Sequence, residues 1–205
     1  SCYQKVLQIA KSAAESIKIG DPSSEGEHIG PLFDQIQYDR VQKMIKVGID
    51  EGATLLCGGL GKPREFETGW FVKPTIFADA KNSMRISQEE IFGPVLSCVR
   101  VENSAEGIEL INNHRYGNGV SVFTSDGNTA REFSRQIQVG MVGVNVPIPV
   151  PMAWHGFGGW KQSLFGDLHA FGNEAVQFYT KQKSVMQRWP DSIAKGAEFV
   201  MPTAK

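Results

Sequence analysis

From Val95 to Val146 the chain switches its hydrophobic period repeatedly, and that alternation restricts the architecture more than any other feature of the sequence. The run Val95–Val101 is apolar and strand-like. A helix beginning near Ser104 follows, carries Ile108 and Ile111, and stops at Asn112-Asn113. Val120–Thr124 is again a strand pattern, a helix from about Asp126 sets Ala130, Phe133 and Ile137 on one face, and Val142–Val146 is a third strand. Strands separated by helices at this spacing predict right-handed parallel crossovers, hence an α/β fold with an open, mostly parallel sheet flanked by helices. Ligands of such sheets gather at the carboxyl ends of the strands. Asn145 falls at such an end, although asparagine there also serves as a turn former.

The preceding residues fit the same architecture. Residues 3–19 place Val6, Ile9, Ala10, Ala13 and Ile17 on one helical face, and Gly20-Asp21-Pro22 ends the helix. A second helix from about Asp34 to Glu51 buries Val41, Met44, Ile45, Gly48 and Ile49, and leads into a short strand, Thr54–Cys57, closed by Gly58-Gly59. Trp70–Phe77 is extended, and Pro74 is expected to confine it to an edge or a bulge. The chain opens at Ser1 inside a helical pattern, which predicts a segment cut from something longer.

After Val146, prolines 147, 149 and 151 exclude both helix and central strand, so an extended surface connector is expected. Residues 152–172 are dense in glycine and aromatics, as in a loop packed against a flat surface or another backbone. Within it, His155 could act as a base and Lys161 could pair with a phosphate, but an isolated residue of either type in an aromatic loop is read as structural. Val176–Trp189 reads as a long strand whose lysines suit a sheet edge and which invites pairing with a second subunit. The tail beyond Pro190 is expected to be draped or mobile. The division is therefore an α/β domain over 1–172, incomplete on its N-terminal side, and a strand with tail over 173–205.

Charge argues against several classes of partner. The 21 basic residues are balanced by 22 acidic ones and form no long basic run, so neither nucleic acid nor an anionic membrane is an expected partner. No apolar run has the length of a bilayer span. The three cysteines, Cys2, Cys57 and Cys98, are widely spaced, which suits a reducing compartment. Cys57 and Cys98 read as buried structural thiols, and the histidines show no metal-ligand spacing.

The most distinctive stretch is Ser87–Val95. Ser87 and Glu90 have the spacing of a capping box, and Gly93-Pro94 forbids the helix from continuing. Two readings follow: Glu90 closes the cap while Phe92 fills core, or the turn aims a carboxylate and a ring at a ligand. A carboxylate can accept from both hydroxyls of a ribose, as acidic residues do in dinucleotide sites. Glu89-Glu90-Ile91-Phe92-Gly93-Pro94-Val95 resembles a signature of the aldehyde dehydrogenase superfamily. By that resemblance, Glu90 contacts the nicotinamide ribose of NAD and Phe92 lies near the nicotinamide ring.

The resemblance extends over nearly the whole chain. Ile19–Pro22, Gly30–Leu32, Glu51–Ala53 with Gly58-Gly59, Trp70–Thr75 and Phe157–Ser163 occur in the family's order. Gly117–Gly119, Val139–Pro151 and Leu164–Leu168 are similar to the methylmalonate-semialdehyde dehydrogenase branch. That branch implies oxidation of a small semialdehyde with NAD and with coenzyme A as co-substrate, in a homo-oligomer assembled through the 176–189 strand, in cytoplasm or mitochondrial matrix. It also implies that Phe157 lines the aldehyde tunnel, although Gly156 stands before it where the family carries proline. The family's nucleophilic cysteine is expected upstream of Ser1, since Cys2 lacks its flanking motif, so no catalytic residue is assigned and the isolated chain is expected to be inactive. Two alternatives stand beside this reading: a hydrolytic aldehyde dehydrogenase, and a non-catalytic remnant acting in assembly.

Overall fold

The computed structural model describes residues 2–26, 28–187 and 189. Two helices, α1 (Tyr3–Ser16) and α2 (Gln35–Asp50), precede the first sheet. Asp34 starts α2 by accepting the Gln37 backbone N–H at 2.8 Å, and Gly52, at φ 88°, ends it where a side chain would be strained. The chain continues as β1 (Thr54–Cys57), β2 (Thr75–Ala80), the short helix α3 (Arg85–Gln88) and β3 (Val95–Val99). These strands form a sheet in the order β1-β2-β3, antiparallel at the first pairing and parallel at the second.

The main core lies where α2 crosses this sheet. Val41 and Ile45 are fully buried against Phe77 of β2, with Ile86 of α3 and Ile91 of the following turn beside them. Burial of Phe77 alone is worth about 2–3 kcal/mol. Gly48 lets α2 approach closely: a Cβ there would stand 3.0 Å from the Phe77 ring.

The second half runs α4 (Ser104–Asn113), β4 (Tyr116–Gly117), β5 (Gly119–Val122), α5 (Gly127–Gln136), β6 (Met141–Val144), β7 (Trp160–Lys161) and α6 (Asn173–Tyr179). β5 and β6 pair in parallel from Gly119–Met141 to Val122–Val144, with α5 as the crossover, as the sequence period predicts. Ile108, Phe133, Ile137 and Val139 form the small core beneath them. β4 and β7 form a separate antiparallel pair. No helix among the described residues is long and apolar enough to cross a membrane.

Several expectations are corrected. Of the two outcomes expected from Pro74, the edge is not found and the irregular strand is: Pro74 sits just before β2, which is the central strand, the Thr75 N–H bonds across to the Pro94 carbonyl at 2.9 Å, and the register shifts in both pairings of β2. The face of α1 expected inside is instead largely open, with Val6 50 % and Ile9 60 % exposed and Leu7 the buried residue. The strand expected over 176–189 begins as helix: α6 covers Asn173–Tyr179. Its Glu, Ala and Gln are good helix formers, and no neighbouring strand among the described residues offers the hydrogen bonds that would favour the extended form. Residues 181–187 carry no helix and pair with no strand among the described residues. The tail beyond Pro190 lies outside the described residues.

Candidate functional site

The turn between α3 and β3 is built differently from a capping box. Ser87 lies inside α3, whose N-cap is Met84, and the helix ends rather than begins before Glu90. The Ser87 hydroxyl is buried and has no hydrogen-bond partner among the described residues. Glu90 is therefore free of the capping duty, and a cap does not account for its presence.

The two adjacent glutamates have opposite fates. Arg85 donates to both carboxylate oxygens of Glu89, at 2.8 and 3.0 Å. Those hydrogen bonds hold the Glu89 carboxyl below the usual glutamate range. The Glu90 carboxylate accepts no hydrogen bond and joins no ion pair among the described residues, and it is exposed. Phe92 follows with φ 54°, a conformation that costs a bulky residue energy, and its ring is 72 % exposed. An aromatic side chain held at positive φ and left in solvent is a local exception to what folding alone favours.

The backbone carbonyls of the same turn are engaged. Gln37 donates from Nε2 to the carbonyls of Ile91 and Phe92, at 3.2 and 2.7 Å, and Arg40 donates from Nη2 to the Glu90 carbonyl at 2.8 Å. Gly93 allows the close approach to α2, since a Cβ there would stand 2.7 Å from Val41 Cγ2. Neither Gln37 nor Arg40 stands out in the sequence. Their spacing on α2 is the available signal, but the turn they serve is remote along the chain.

Glu90 lines two clefts. One, of about 500 Å³, is bordered also by Asn82, Ser87, Phe92 and Ser97. The other, of about 510 Å³, is bordered also by Ser87, His114, Tyr116, Asn118 and Ser163. A third cavity, of about 470 Å³ and mainly apolar, shares Asn82 and Val99 with the first, and His114, Tyr116 and Asn118 with the second. The turn thus faces an open region between β3 and the β4–β5 segment. Because Thr75 pairs with Val95, it stands at the amino ends of β2 and β3, not at the carboxyl ends where parallel sheets usually place ligands. Asn145, which does stand at a carboxyl end, is spent on tying the end of β6 to that of β5: its amide accepts from Thr124 N at 2.9 Å and donates to Thr124 O at 3.0 Å.

Phe157 is not brought to this region. It stacks on Phe171, with ring centroids 4.6 Å apart, and borders none of the three cavities. Lys161 is structural, as read from sequence: Nζ donates to the carbonyls of Ile111, Asn112 and His114, at 3.1, 2.8 and 3.1 Å, closing the C-terminus of α4. His155 is exposed beside Trp154. Cys57 and Cys98 are half-buried, and burial pushes both thiols up, away from nucleophilic character.

Comparison with known proteins shows the family. The aldehyde dehydrogenase family model matches residues 1–185, and the chain belongs to that family. More particularly, it is 47 % identical over 191 residues to a malonate-semialdehyde dehydrogenase of Pseudomonas aeruginosa, an alignment covering 92 % of this chain and 38 % of the relative. Among solved structures, a methylmalonate-semialdehyde dehydrogenase of Oceanimonas doudoroffii superposes with a TM-score of 0.88 at 45 % identity, covering 93 % of this chain and 39 % of that one. A Mycobacterium tuberculosis aldehyde dehydrogenase complexed with NAD+ superposes with a TM-score of 0.85 at 37 % identity, covering 91 % of this chain and 38 % of that one. The chain therefore spans about 38 % of the length of the curated relative it matches.

Proposed function

We propose that this chain forms the nicotinamide-facing wall of an NAD-dependent, coenzyme A-acylating semialdehyde dehydrogenase acting on malonate or methylmalonate semialdehyde. The observation that carries the reading is the Glu90 carboxylate, unpaired beside a glutamate that is fully paired, at the rim of two clefts. Glu90 would accept hydrogen bonds from the nicotinamide ribose hydroxyls, and Phe92 would border the nicotinamide ring. NAD, when bound, supplies the hydride acceptor. Glu90 moves no proton; it orients, and orientation is where positioning residues lower a barrier.

Burial disfavours the thiolates of Cys57 and Cys98, and Cys2 lacks the family's flanking motif, so the nucleophile, and the arginines for a substrate carboxylate, would lie in sequence outside this chain. Phe157 stays in the proposal as a wall of the aldehyde tunnel. The resemblance of Gly117–Gly119, Val139–Pro151 and Leu164–Leu168 supports the acylating branch and a small semialdehyde. Exposed Val176, Phe178, Tyr179, Val185 and Met186 support self-association through the 176–189 segment. A reducing, cytoplasmic or matrix setting suits three unpaired thiols.

The test is kinetic. In the complete dehydrogenase carrying this chain, Glu90→Ala is expected to raise the KM for NAD about tenfold, since a charge-assisted hydrogen bond is worth about 1.5–3 kcal/mol. The product from malonate semialdehyde and coenzyme A is expected to be an acyl-CoA. An unchanged KM and kcat, or a free acid formed independently of coenzyme A, contradicts the proposal.

A further inference from the structure

Phe157 lies between two glycines, in a stretch whose own backbone does little to fix where its ring stands. The loop that leads into α6 holds it instead. Phe171 of that loop stacks on Phe157, with centroids 4.6 Å apart. The flanking glycines meet the two ends of the same loop: a Cβ on Gly158 would stand 2.9 Å from His169 Cδ2, and one on Gly156 would stand 3.6 Å from the Glu174 carboxyl carbon. Gly172, at φ 65°, lets the two backbones touch, since a Cβ there would stand 2.7 Å from Gly156 N and 2.9 Å from Trp154 O. Residues 156, 157 and 158 therefore lie against 174, 171 and 169 in turn. Gly140 backs the other side of the stretch, where a Cβ would collide with the Gly158 carbonyl.

One carboxylate ties this loop end to end. Glu174 Oε2 accepts the His169 backbone N–H at 2.7 Å and stands 3.5 Å from His169 Nδ1, on a side chain only 17 % exposed. An ionised acceptor makes this a strong closure. Phe171 is carried between the tied ends, so the ring stack fixes Phe157 only as firmly as the tie fixes Phe171.

We propose that Glu174, through His169, is a positioning residue that sets where the Phe157 ring stands and thereby how sharply the site distinguishes malonate semialdehyde from its homologue with one more methyl, methylmalonate semialdehyde. This rests on the assignment of Phe157 to the aldehyde tunnel. One methyl is worth about 10–200-fold in discrimination against an apolar wall, and a wall that yields forfeits part of it. Glu174 need not touch the substrate for this role, because it acts through the loop that backs the ring.

The experiment uses the complete dehydrogenase, with Glu174→Ala, Glu174→Gln and, as a control on the wall itself, Phe157→Leu. Two quantities are read: the ratio of kcat/KM for methylmalonate semialdehyde to that for malonate semialdehyde, and the thermal midpoint. Glu174→Ala and Phe157→Leu are each expected to raise the ratio about fivefold in favour of the bulkier aldehyde. Glu174→Gln, whose amide oxygen still accepts the His169 N–H, is expected to recover most of the original ratio. A shift with Phe157→Leu but none with Glu174→Ala overturns the proposal and leaves the tunnel assignment standing. A lower midpoint in Glu174→Ala with an unchanged ratio overturns it as well, being the mark of a role in stability only. An unchanged ratio in Phe157→Leu refutes the tunnel assignment and the proposal with it. Should Glu174→Ala fail to fold, Glu174→Asp, which withdraws the carboxylate by one methylene, is expected to move the ratio in the same direction, and no movement there overturns the proposal.

Discussion

Lys161 shows how a charged residue in a glycine-rich loop can be accounted for without chemistry. Its ammonium donates to three carbonyls at the negative end of α4; the Ile111 carbonyl also accepts the His114 N–H, so Lys161 matters most to those of Asn112 and His114. Lys161→Met is expected to cost about 2 kcal/mol, lowering the thermal midpoint by about 4–8 °C, measured by calorimetry or circular dichroism. An unchanged midpoint would mean water serves those carbonyls equally well. Arg85 and Glu89 give a pH prediction. The Glu89 carboxyl is depressed in the folded state, so its contribution is complete above the unfolded value and is lost as pH falls through the folded one. Arg85→Met is therefore expected to move the Glu89 titration upward toward the ordinary value of about 4.3, followed by carboxyl-carbon NMR. At this scale the sequence was legible wherever a motif is contiguous, as at Glu90 and Phe92. It was illegible where the partner is remote: nothing near Ser87 says that Met84 starts the helix, and nothing near Gln37 names Phe92.

Among the elements, α2 carries the most weight, because it both fills the core and anchors the turn. Gly93→Ala is expected to destabilise by about 1–3 kcal/mol, since its Cβ would meet a methyl of fully buried Val41 and the turn must lift from the helix. Chemical denaturation would show this as a lower midpoint, and unaltered stability would mean that the turn shifts freely. Hydrophobic period located α2, α4, α5, β5 and β6 within a residue or two, because each buries a face that its own pattern encodes. It failed at α1, whose apolar stripe is genuine but is left open over Val6 and Ile9. It failed also over Val176–Tyr179, where valine and aromatics suggested a strand, although the β propensity of a segment is realised only against a neighbouring strand.

At the scale of the whole molecule, the described residues form three small sheets, and the Glu90 turn faces the open region between the first of them and the β4–β5 segment. The α/β class was readable from the alternation of periods; the separation into short sheets was not, because pairing partners are set by tertiary contacts. With nucleophile and substrate arginines assigned to other sequence, the 205-residue chain alone is expected to show no NAD reduction with malonate semialdehyde and coenzyme A. Measurable turnover would show that one of its own thiols has been misjudged. The central claim, that the unpaired carboxylate of this turn holds the coenzyme, is tested most directly by comparing neighbouring glutamates in the complete enzyme through the NAD dissociation constant. Glu90→Gln is expected to raise it about tenfold, and Glu89→Gln, whose side chain remains within reach of Arg85, to change it by less than about twofold. Equal effects, or a larger one at Glu89, would contradict the account.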